Sequence, residues 1–365
     1  MDETVSAATS VVQPPPEVLT ERMSFTGSGG EYFRIWIVNI ALTIVTLGIY
    51  SAWAKARRLE YFYRNTRLGG SGFDYHGTPI AILKGRIIGA ILFGAYSFSA
   101  RLGPRYLLGS IVVIALVMPF LLNRALRFRF ANSSYRGVRF GFHGSTAEAY
   151  RVFLLWPLAA LLTLGILWPV AHRRIKQYEH AHATYGRTPF NIGVKIAPFY
   201  GVYVAAWLMM TATVLMAGAG FAVAFMSVIA KNGGKMPATP PAFNIPLMIG
   251  IAVVYITGII GTQAFVTCRI QSLVWNHTGL GDRHSFTCEL GAGKFMGLLL
   301  TNTLAIVGTL GLFTPFAQVR MAQFMINGMS MISRGTLDDV AADTDTTVSA
   351  LGEESVGFFD FDISF

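Results

Sequence analysis

Seven long apolar stretches constrain this chain more than any other feature of its sequence. A helix needs about 20 apolar residues to cross the hydrocarbon core of a bilayer. A buried helix of a soluble protein could imitate one such stretch, but not seven of them within 365 residues. Hydropathy therefore predicts about seven spans. They cover roughly residues 33–50, 80–98, 106–123, 151–170, 197–228, 246–267 and 295–316.

The composition leads to the same class of protein. Only 13% of the residues are charged, 53% are hydrophobic and the mean hydropathy is +0.50, whereas a soluble domain carries roughly 25% charged residues. This excludes a cytosolic enzyme, a disordered chain and a secreted disulfide scaffold. Cys268 and Cys288 are too few for a disulfide framework and lie in no CxxC or Cys/His spacing. The composition predicts a polytopic helical membrane protein.

The charge balance indicates the partner. The 29 Lys and Arg exceed the 19 Asp and Glu and give a net charge of +10. In a membrane protein such an excess reflects the positive-inside rule and contact with anionic head groups. No nucleic-acid-binding motif occurs, so we expect anionic membrane lipids as partners and no nucleic acid. Residues 336–365 are acidic and contain no Lys or Arg, which predicts either a disordered tail or one that docks on a basic face.

An internal repeat organises the chain. Residues 46–49 (TLGI), 163–166 (TLGI) and 309–312 (TLGL) read alike, and an arginine follows nine residues after each glycine. Two further segments fit the same frame without the glycine turn. After the first four arginines comes a polar turn and a short aromatic strand, which indicates β-hairpins. The five repeated arginines are Arg57, Arg124, Arg174, Arg269 and Arg320.

These patterns predict a multi-pass, all-α membrane bundle with short β-hairpins, built from five pseudo-repeats of strand, helix, turn, helix and strand. Residues 1–23 are expected to form a flexible N-terminal arm, 24–335 the transmembrane domain and 336–365 the acidic tail. Units two and four carry full two-helix hairpins, whereas the other units turn at the TLG sequence. Units one to five span about residues 24–70, 73–137, 140–187, 190–283 and 285–335.

Charge counting predicts the sidedness. If all β-hairpins and both termini share one face, the opposite face holds only four of the 29 basic residues: Arg101, Arg105, Lys231 and Lys235. Seven alternating spans would instead divide them 12 to 17. The positive-inside rule favours the first arrangement, with cytoplasmic hairpins and termini. Lys55 then follows Gly48 by only seven residues, about 10 Å along a helix. Units one, three and five are therefore either re-entrant, or their cations snorkel toward a polar interior.

One block of residues carries a family resemblance. Residues 46–55 (TLGIYSAWAK), together with motifs in 25–34, 57–66 and 73–85, resemble the YjgN-like family of bacterial inner-membrane proteins. The resemblance covers about residues 24–335 and implies a multi-pass protein of the bacterial inner membrane. The family is a domain of unknown function, so the resemblance implies no catalytic or ligand-binding residue.

The candidate site consists of basic residues at the repeated helix end. A ring of arginines could bind an anion, a phosphate or a lipid head group, or each arginine could only anchor its helix at the interface. No Asp or Glu falls inside an apolar stretch, which disfavours a carboxylate relay for transport. The predicted anion- or lipid-binding residues are Lys55, Arg57, Arg124, Arg174, Arg269 and Arg320.

No catalytic, metal or cofactor site is predicted. Glu179, His180 and His182 lie close together in sequence, but neighbours at i and i+2 do not share a helix face. No nucleophile elbow, P-loop or HExxH motif occurs. The sequence therefore predicts a non-enzymatic inner-membrane protein that binds or passes a small anionic or lipidic molecule through a cavity lined by the repeated arginines. The alternative is a non-transporting scaffold or lipid-organising protein.

Overall fold

Ten short strands close into one antiparallel barrel. The computed structural model describes residues 18–236 and 245–335. Around the barrel the strands follow the order β1-β10-β9-β8-β7-β6-β5-β4-β3-β2, so each strand pairs with its neighbours in sequence and β1 pairs with β10. The strands are β1 (Val18–Phe25), β2 (Thr66–Leu68), β3 (Ser71–Tyr75), β4 (Ser133–Tyr135), β5 (Val138–Phe142), β6 (Ala183–Tyr185), β7 (Thr188–Ile192), β8 (Thr278–Leu280), β9 (His284–Cys288) and β10 (Met329–Arg334).

Five helical hairpins alternate with the strands. The third includes a π-helical turn, Arg151–Leu155, between its first two helices. The helices are α1 (Gly29–Val45), α2 (Ser51–Asn65), α3 (Pro79–Leu102), α4 (Pro104–Ala131), α5 (Thr146–Tyr150), α6 (Trp156–Leu162), α7 (Trp168–Ala181), α8 (Ile196–Lys231), α9 (Ile245–Trp275), α10 (Ala292–Gly308) and α11 (Thr314–Asn327).

The prediction of an all-α bundle with separate short hairpins is wrong, because the hairpins join edge to edge into a barrel. β1 supplies the closure: its residues 23–25 pair with β2, and its residues 18–22 pair with β10. Closure removes every free strand edge, which separate hairpins would have left exposed. The sequence interpretation ended unit five in a strand without locating β10, and it assigned residues 18–23, now part of β1, to the arm. Residues 1–17 and the whole predicted tail, 336–365, lie outside the described residues.

The barrel follows from tight turns and alternating side chains. At the β4–β5 turn, Arg136 and Gly137 have φ of 46° and 79°, as a two-residue hairpin turn requires. Alternate residues point into the lumen and form the main hydrophobic core. That core contains Met23, Leu68, Tyr135, Val138, Tyr185, Leu280, Phe286, Met329 and Met331.

One backbone hydrogen bond recurs in every unit and ties the two ends of each helical hairpin together. The amide just after the entering strand donates to the carbonyl at the end of the last helix. The five bonds are Thr26 N to Asn65 O (2.9 Å), His76 N to Asn132 O (2.8 Å), His143 N to His182 O (2.9 Å), Gly193 N to His277 O (3.0 Å) and Glu289 N to Gly328 O (2.8 Å). Both ends of each hairpin therefore meet at the barrel.

The helical hairpins fall into two classes. Within residues 18–236 and 245–335, four helices, α3, α4, α8 and α9, are long and apolar enough to cross a membrane; we call α3–α4 and α8–α9 the long hairpins. The short hairpins are α1–α2, α5–α7 and α10–α11. The other three of the seven predicted apolar stretches lie in the short hairpins, so hydropathy counted their first helix and turn as a span.

Candidate functional site

The five repeated arginines lie at one level of the helical layer. Each is six to eight residues before the last residue of its helix, on α2, α4, α7, α9 or α11. At the rise of an α-helix this places them about 9–12 Å from the barrel ends of the helices. We call these residues, Arg57, Arg124, Arg174, Arg269 and Arg320, the arginine ring.

Every member of the ring lies against an aromatic side chain. Arg57, Arg174 and Arg269 are exposed, and Arg124 and Arg320 are partly exposed. The guanidinium carbon lies 5.4–6.0 Å from the centroid of the aromatic ring, within cation–π range. The pairs are Arg57–Tyr50, Arg124–Phe120, Arg174–Trp156, Arg269–Phe265 and Arg320–Phe313.

Most of the ring's charge is not neutralised inside the protein. Arg320 donates to Asn302 Oδ1 (2.6 Å) and Thr301 Oγ1 (3.2 Å) on α10. Among residues 18–236 and 245–335, the other four arginines have no carboxylate within ion-pair distance. Lys55 lies two residues before Arg57, is partly buried and already interacts with another residue. The ring therefore presents positive charge beside aromatic faces on the outside of the helices.

The TLG turns of the short hairpins share one conformation. Leu47, Leu164 and Leu310 have φ of 50–52°, and the following glycines have φ of 89–93°. Each of the three leucines is 95% exposed. Leucine is apolar, and a leucine side chain that is fully exposed at the tip of a turn is more favourable in hydrocarbon than in water.

Six successive backbone amides in each of these turns, beginning at the threonine, have an acceptor. In the α6–α7 turn, the amides of residues 163–166 and 168 donate to backbone carbonyls, and Leu167 N donates to Thr163 Oγ1 (3.3 Å). Residues 46–51 and 309–314 repeat this pattern, with Thr46 and Thr309 as the side-chain acceptors. Such a turn can lie in hydrocarbon, where no water is present to pair an open amide.

The spacing from the arginine ring to each turn separates the two classes of hairpin. Leu47, Leu164 and Leu310 each precede their ring arginine by ten residues, or about 15 Å of helix. In the long hairpins, Pro104 precedes Arg124 by 20 residues and Ile245 precedes Arg269 by 24, about 30 Å and 36 Å. The hydrocarbon core is about 30 Å thick. Measured from the ring, the long hairpins are therefore long enough to cross a bilayer, whereas the short hairpins are long enough to reach about its middle.

A separate cavity of about 180 Å³ lies between the barrel lumen and the ends of the helices. No member of the arginine ring and not Lys55 lines it. Its polar side chains include Arg129, Lys176, Glu179 and His180, and Lys176 Nζ lies 2.9 Å from Glu179 Oε2. Sequence reasoning considered Glu179 and His180 only as metal ligands and missed Arg129 and Lys176. Comparison of the five units at equal distances from the ring arginine would have found them, because these positions are apolar in most units.

Burial and the charge of Lys176 shift the pKa values of the ionisable side chains in this cavity. Burial alone would raise the pKa of Glu179, but the neighbouring Lys176 outweighs it and the pKa is lowered. Burial lowers the pKa of His180 to about 4, so His180 is neutral near pH 7. Within the described parts of the chain, no three His, Cys, Asp or Glu residues are close enough to hold a metal ion.

A closed barrel carrying spanning and half-length helical hairpins defines a polytopic membrane protein, and comparison with known sequences places it in a family. Residues 20–358 match the family described as bacterial protein of unknown function, DUF898. The chain belongs to this family. The resemblance read from residues 24–335 is thereby confirmed.

Curated relatives carry the name inner membrane protein YjgN. The Salmonella typhimurium relative is 32% identical over 149 residues, which are 39% of this chain and 36% of the relative. The relative from Escherichia coli O157:H7 is 28% identical over 165 residues, 44% of this chain and 40% of the relative. The match thus covers well under half of the relatives' length. No solved structure matches this chain.

Proposed function

We propose that this protein resides in the bacterial inner membrane and that its arginine ring binds anionic lipid head groups in the leaflet beside the barrel. The observation that carries the proposal is the recurrence of one aromatic-backed arginine, exposed or partly exposed, at the same helical level in all five units. The relatives' name and four apolar helices support the membrane assignment.

The side-chain chemistry favours a phosphate partner. Guanidinium groups pair with phosphate oxygens through two parallel hydrogen bonds, and aromatic residues favour the head-group region. Four ring arginines lack a carboxylate partner among the described residues. A lipid phosphodiester would supply the missing charge while its acyl chains pack on the exposed apolar helix faces.

Binding at the outside is preferred to passage through a pore. The ring arginines project from the periphery of the helical layer and do not line the lumen cavity. The proposed role is therefore non-catalytic organisation of lipid around the barrel rather than transport of an anion along its axis. We further propose that the barrel and both termini are cytoplasmic, because this puts most basic residues on one side.

Lipid retention tests the proposal directly. The Arg57→Gln, Arg124→Gln, Arg174→Gln triple variant and the wild type are purified from the same membranes, and co-purified phosphatidylglycerol and cardiolipin are counted by native mass spectrometry. We expect the triple variant to retain at least fivefold less anionic lipid. The control removes three charges from the opposite side, through Arg101→Gln, Arg105→Gln and Lys235→Gln, and is expected to retain wild-type amounts.

Two results would contradict the proposal. One is equal lipid retention by both triple variants and the wild type. The other is an anion flux across proteoliposomes that the ring variant abolishes while its lipid content is unchanged, which would instead favour passage of an anion.

A further inference from the structure

The five-unit repeat provides an internal comparison for the lumen cavity. In unit three the side chains two, five and six residues after the ring arginine line the cavity, and in unit two those five and six residues after it do. The equivalent positions of the other units show which residues the repeat carries there. Six residues on, the side chains are Tyr63, Phe130, Trp275 and Ile326, but His180 in unit three. Two residues on, they are Leu59, Leu126, Gln271 and Ala322, but Lys176 in unit three.

The position five residues on shows the same departure. Units one, four and five carry Phe62, Val274 and Met325, whereas units two and three carry Arg129 and Glu179. Charged groups placed away from water destabilise a protein unless they are paired. Because uncharged residues suffice at the equivalent positions of the other units, the fold does not explain the charges that units two and three bring to the cavity wall.

The charges in the cavity do not balance. Lys176 Nζ pairs with Glu179 Oε2 at 2.9 Å, and part of the Glu179 side chain, 26% exposed, faces the cavity. Arg129 lies close enough to act electrostatically on Glu179 and His180. Within the described residues its guanidinium has no hydrogen bond or ion pair, only the ring of Phe130 at 5.4 Å. One positive charge is therefore left over at the cavity wall.

Much of the rest of the wall is aromatic. Phe73, Phe140, Phe190 and Phe286 follow one another around the lumen from β3, β5, β7 and β9, with successive centroids 6.0–6.4 Å apart and planes within 29° of parallel. The cavity volume is about 180 Å³, and an apolar cavity of about 150 Å³ accommodates benzene. Flat rings in this arrangement suit a single flat ring.

We propose that the lumen cavity binds a small aromatic monoanion, with its ring against Phe140 and Phe190 and its anionic group on Arg129. The ring buries apolar surface against the phenylalanine wall. The carboxylate or other anionic group forms a charge-assisted pair with the guanidinium. This site is separate from the arginine ring and does not depend on lipid binding there.

Benzoate is the probe, and the full chain is studied in nanodiscs of phosphatidylcholine, whose head group carries no net charge. Isothermal titration calorimetry compares benzoate with benzyl alcohol, which keeps the aromatic ring without the charge, and with acetate, which keeps the charge without the ring. We expect one benzoate per chain and at least tenfold weaker binding of the other two. Equal affinity for benzoate and benzyl alcohol, or no saturable benzoate binding, would overturn the proposal.

Two matched variants assign the anionic contact. Arg129→Gln is expected to weaken benzoate binding at least tenfold. Arg139→Gln makes the same charge change on the exposed face of β5 and is expected to bind as the wild type does. Unchanged affinity in R129Q, or equal losses in both variants, would remove Arg129 from the site. If R129Q does not fold, the three probes applied to the unmodified protein still decide the proposal.

Discussion

The long and short hairpins begin and end alike at the barrel but differ in depth. Each is tied to the barrel by the same backbone hydrogen bond, and each carries its ring arginine at nearly the same distance from the barrel. Beyond that arginine, helices α4 and α9 run on for 20 and 24 residues, whereas the short hairpins reach their turn after ten. The part of each unit next to the barrel is thus the same in all five units. The position of the turn sets how far each hairpin extends from the barrel.

One position shows how the two classes derive from the same frame. Five residues before the ring arginine stand Pro119, Pro169 and Pro315, all buried. In α7 and α11 this proline occupies the first turn, where its missing N–H costs nothing. In α4 the equivalent Pro119 lies inside the helix, because that helix begins 15 residues earlier. The α3–α4 hairpin is thus similar to a short hairpin extended past its starting proline.

The first prediction concerns the depth of the short turns and has the largest expected effect. Leu164→Asp places a short charged side chain at the tip of the α6–α7 turn. If this tip lies near the bilayer middle, we expect a loss of about 3 kcal/mol of stability, the cost of an aspartate at that depth. Unfolding is followed in nanodiscs by tryptophan fluorescence.

Leu102→Asp is the matched control in a long hairpin. Leu102 is also exposed and ends α3 beside the Gly103 turn, which the helix rise places at the far interface. We expect a change within about 0.5 kcal/mol. Equal tolerance of L164D and L102D would mean that the short turns reach water, and the difference in depth would be lost.

The second prediction tests the difference between unit three and unit two at the position six residues after the ring arginine. His180 occupies the axis position that Phe130 occupies in unit two. Its folded pKa of about 4 lies below the ordinary value of 6.5, so protonation is penalised only in the folded state. The penalty is absent above pH 6.5, and it lowers the stability of the folded protein increasingly as the pH falls toward 4, by about 3 kcal/mol in all. The melting temperature is measured between pH 7.5 and 4.5.

The variant His180→Phe should lose the part of the pH dependence of stability that comes from His180, while the contributions of the other titrating groups remain. The lowered pKa of Glu179 acts in the same direction, but below its ordinary 4.5. Burial also lowers the pKa of His172 to about 4, so the difference between the wild type and H180F, and not the whole slope between pH 6.5 and 4.5, reports on His180. His277→Gln removes an exposed histidine and should keep the wild-type profile. A wild-type slope in H180F would show that another group titrates in this window.

The internal repeat could be predicted from the sequence, but the closure of the barrel could not. The arginine ring and the TLG turns could be located because both recur at fixed offsets along the chain. The barrel could not, because β2, β4, β6 and β8 have only three residues each, too few for alternation to be recognised, and because β1 meets β10 from the opposite end of the described chain. Phe120 and Phe265 follow from helical spacing as partners of ring arginines, whereas Trp156 reaches Arg174 from another helix and needed the tertiary structure.

The third prediction, with the smallest effect, concerns the Thr163 hydroxyl, which accepts a hydrogen bond from Leu167 N in the α6–α7 turn. Thr163→Val keeps the shape but leaves Leu167 N–H without its acceptor. We expect a loss of about 1–2 kcal/mol, the cost of an unpaired buried donor, measured as for L164D. Thr163→Ser keeps an acceptor oxygen and should retain most of the stability.

Thr213→Val in the long helix α8 separates this effect from general loss of a threonine. Thr213 is buried and its hydroxyl only donates to Met209 O, a carbonyl of the helix interior, so valine leaves no amide unpaired. We expect T213V to change stability by less than about 0.5 kcal/mol. Equal losses of stability in T163V and T213V would mean that the hydrogen bond from Leu167 N to Thr163 does not stabilise the turn. The explanation of how a short hairpin can end inside hydrocarbon would then be wrong.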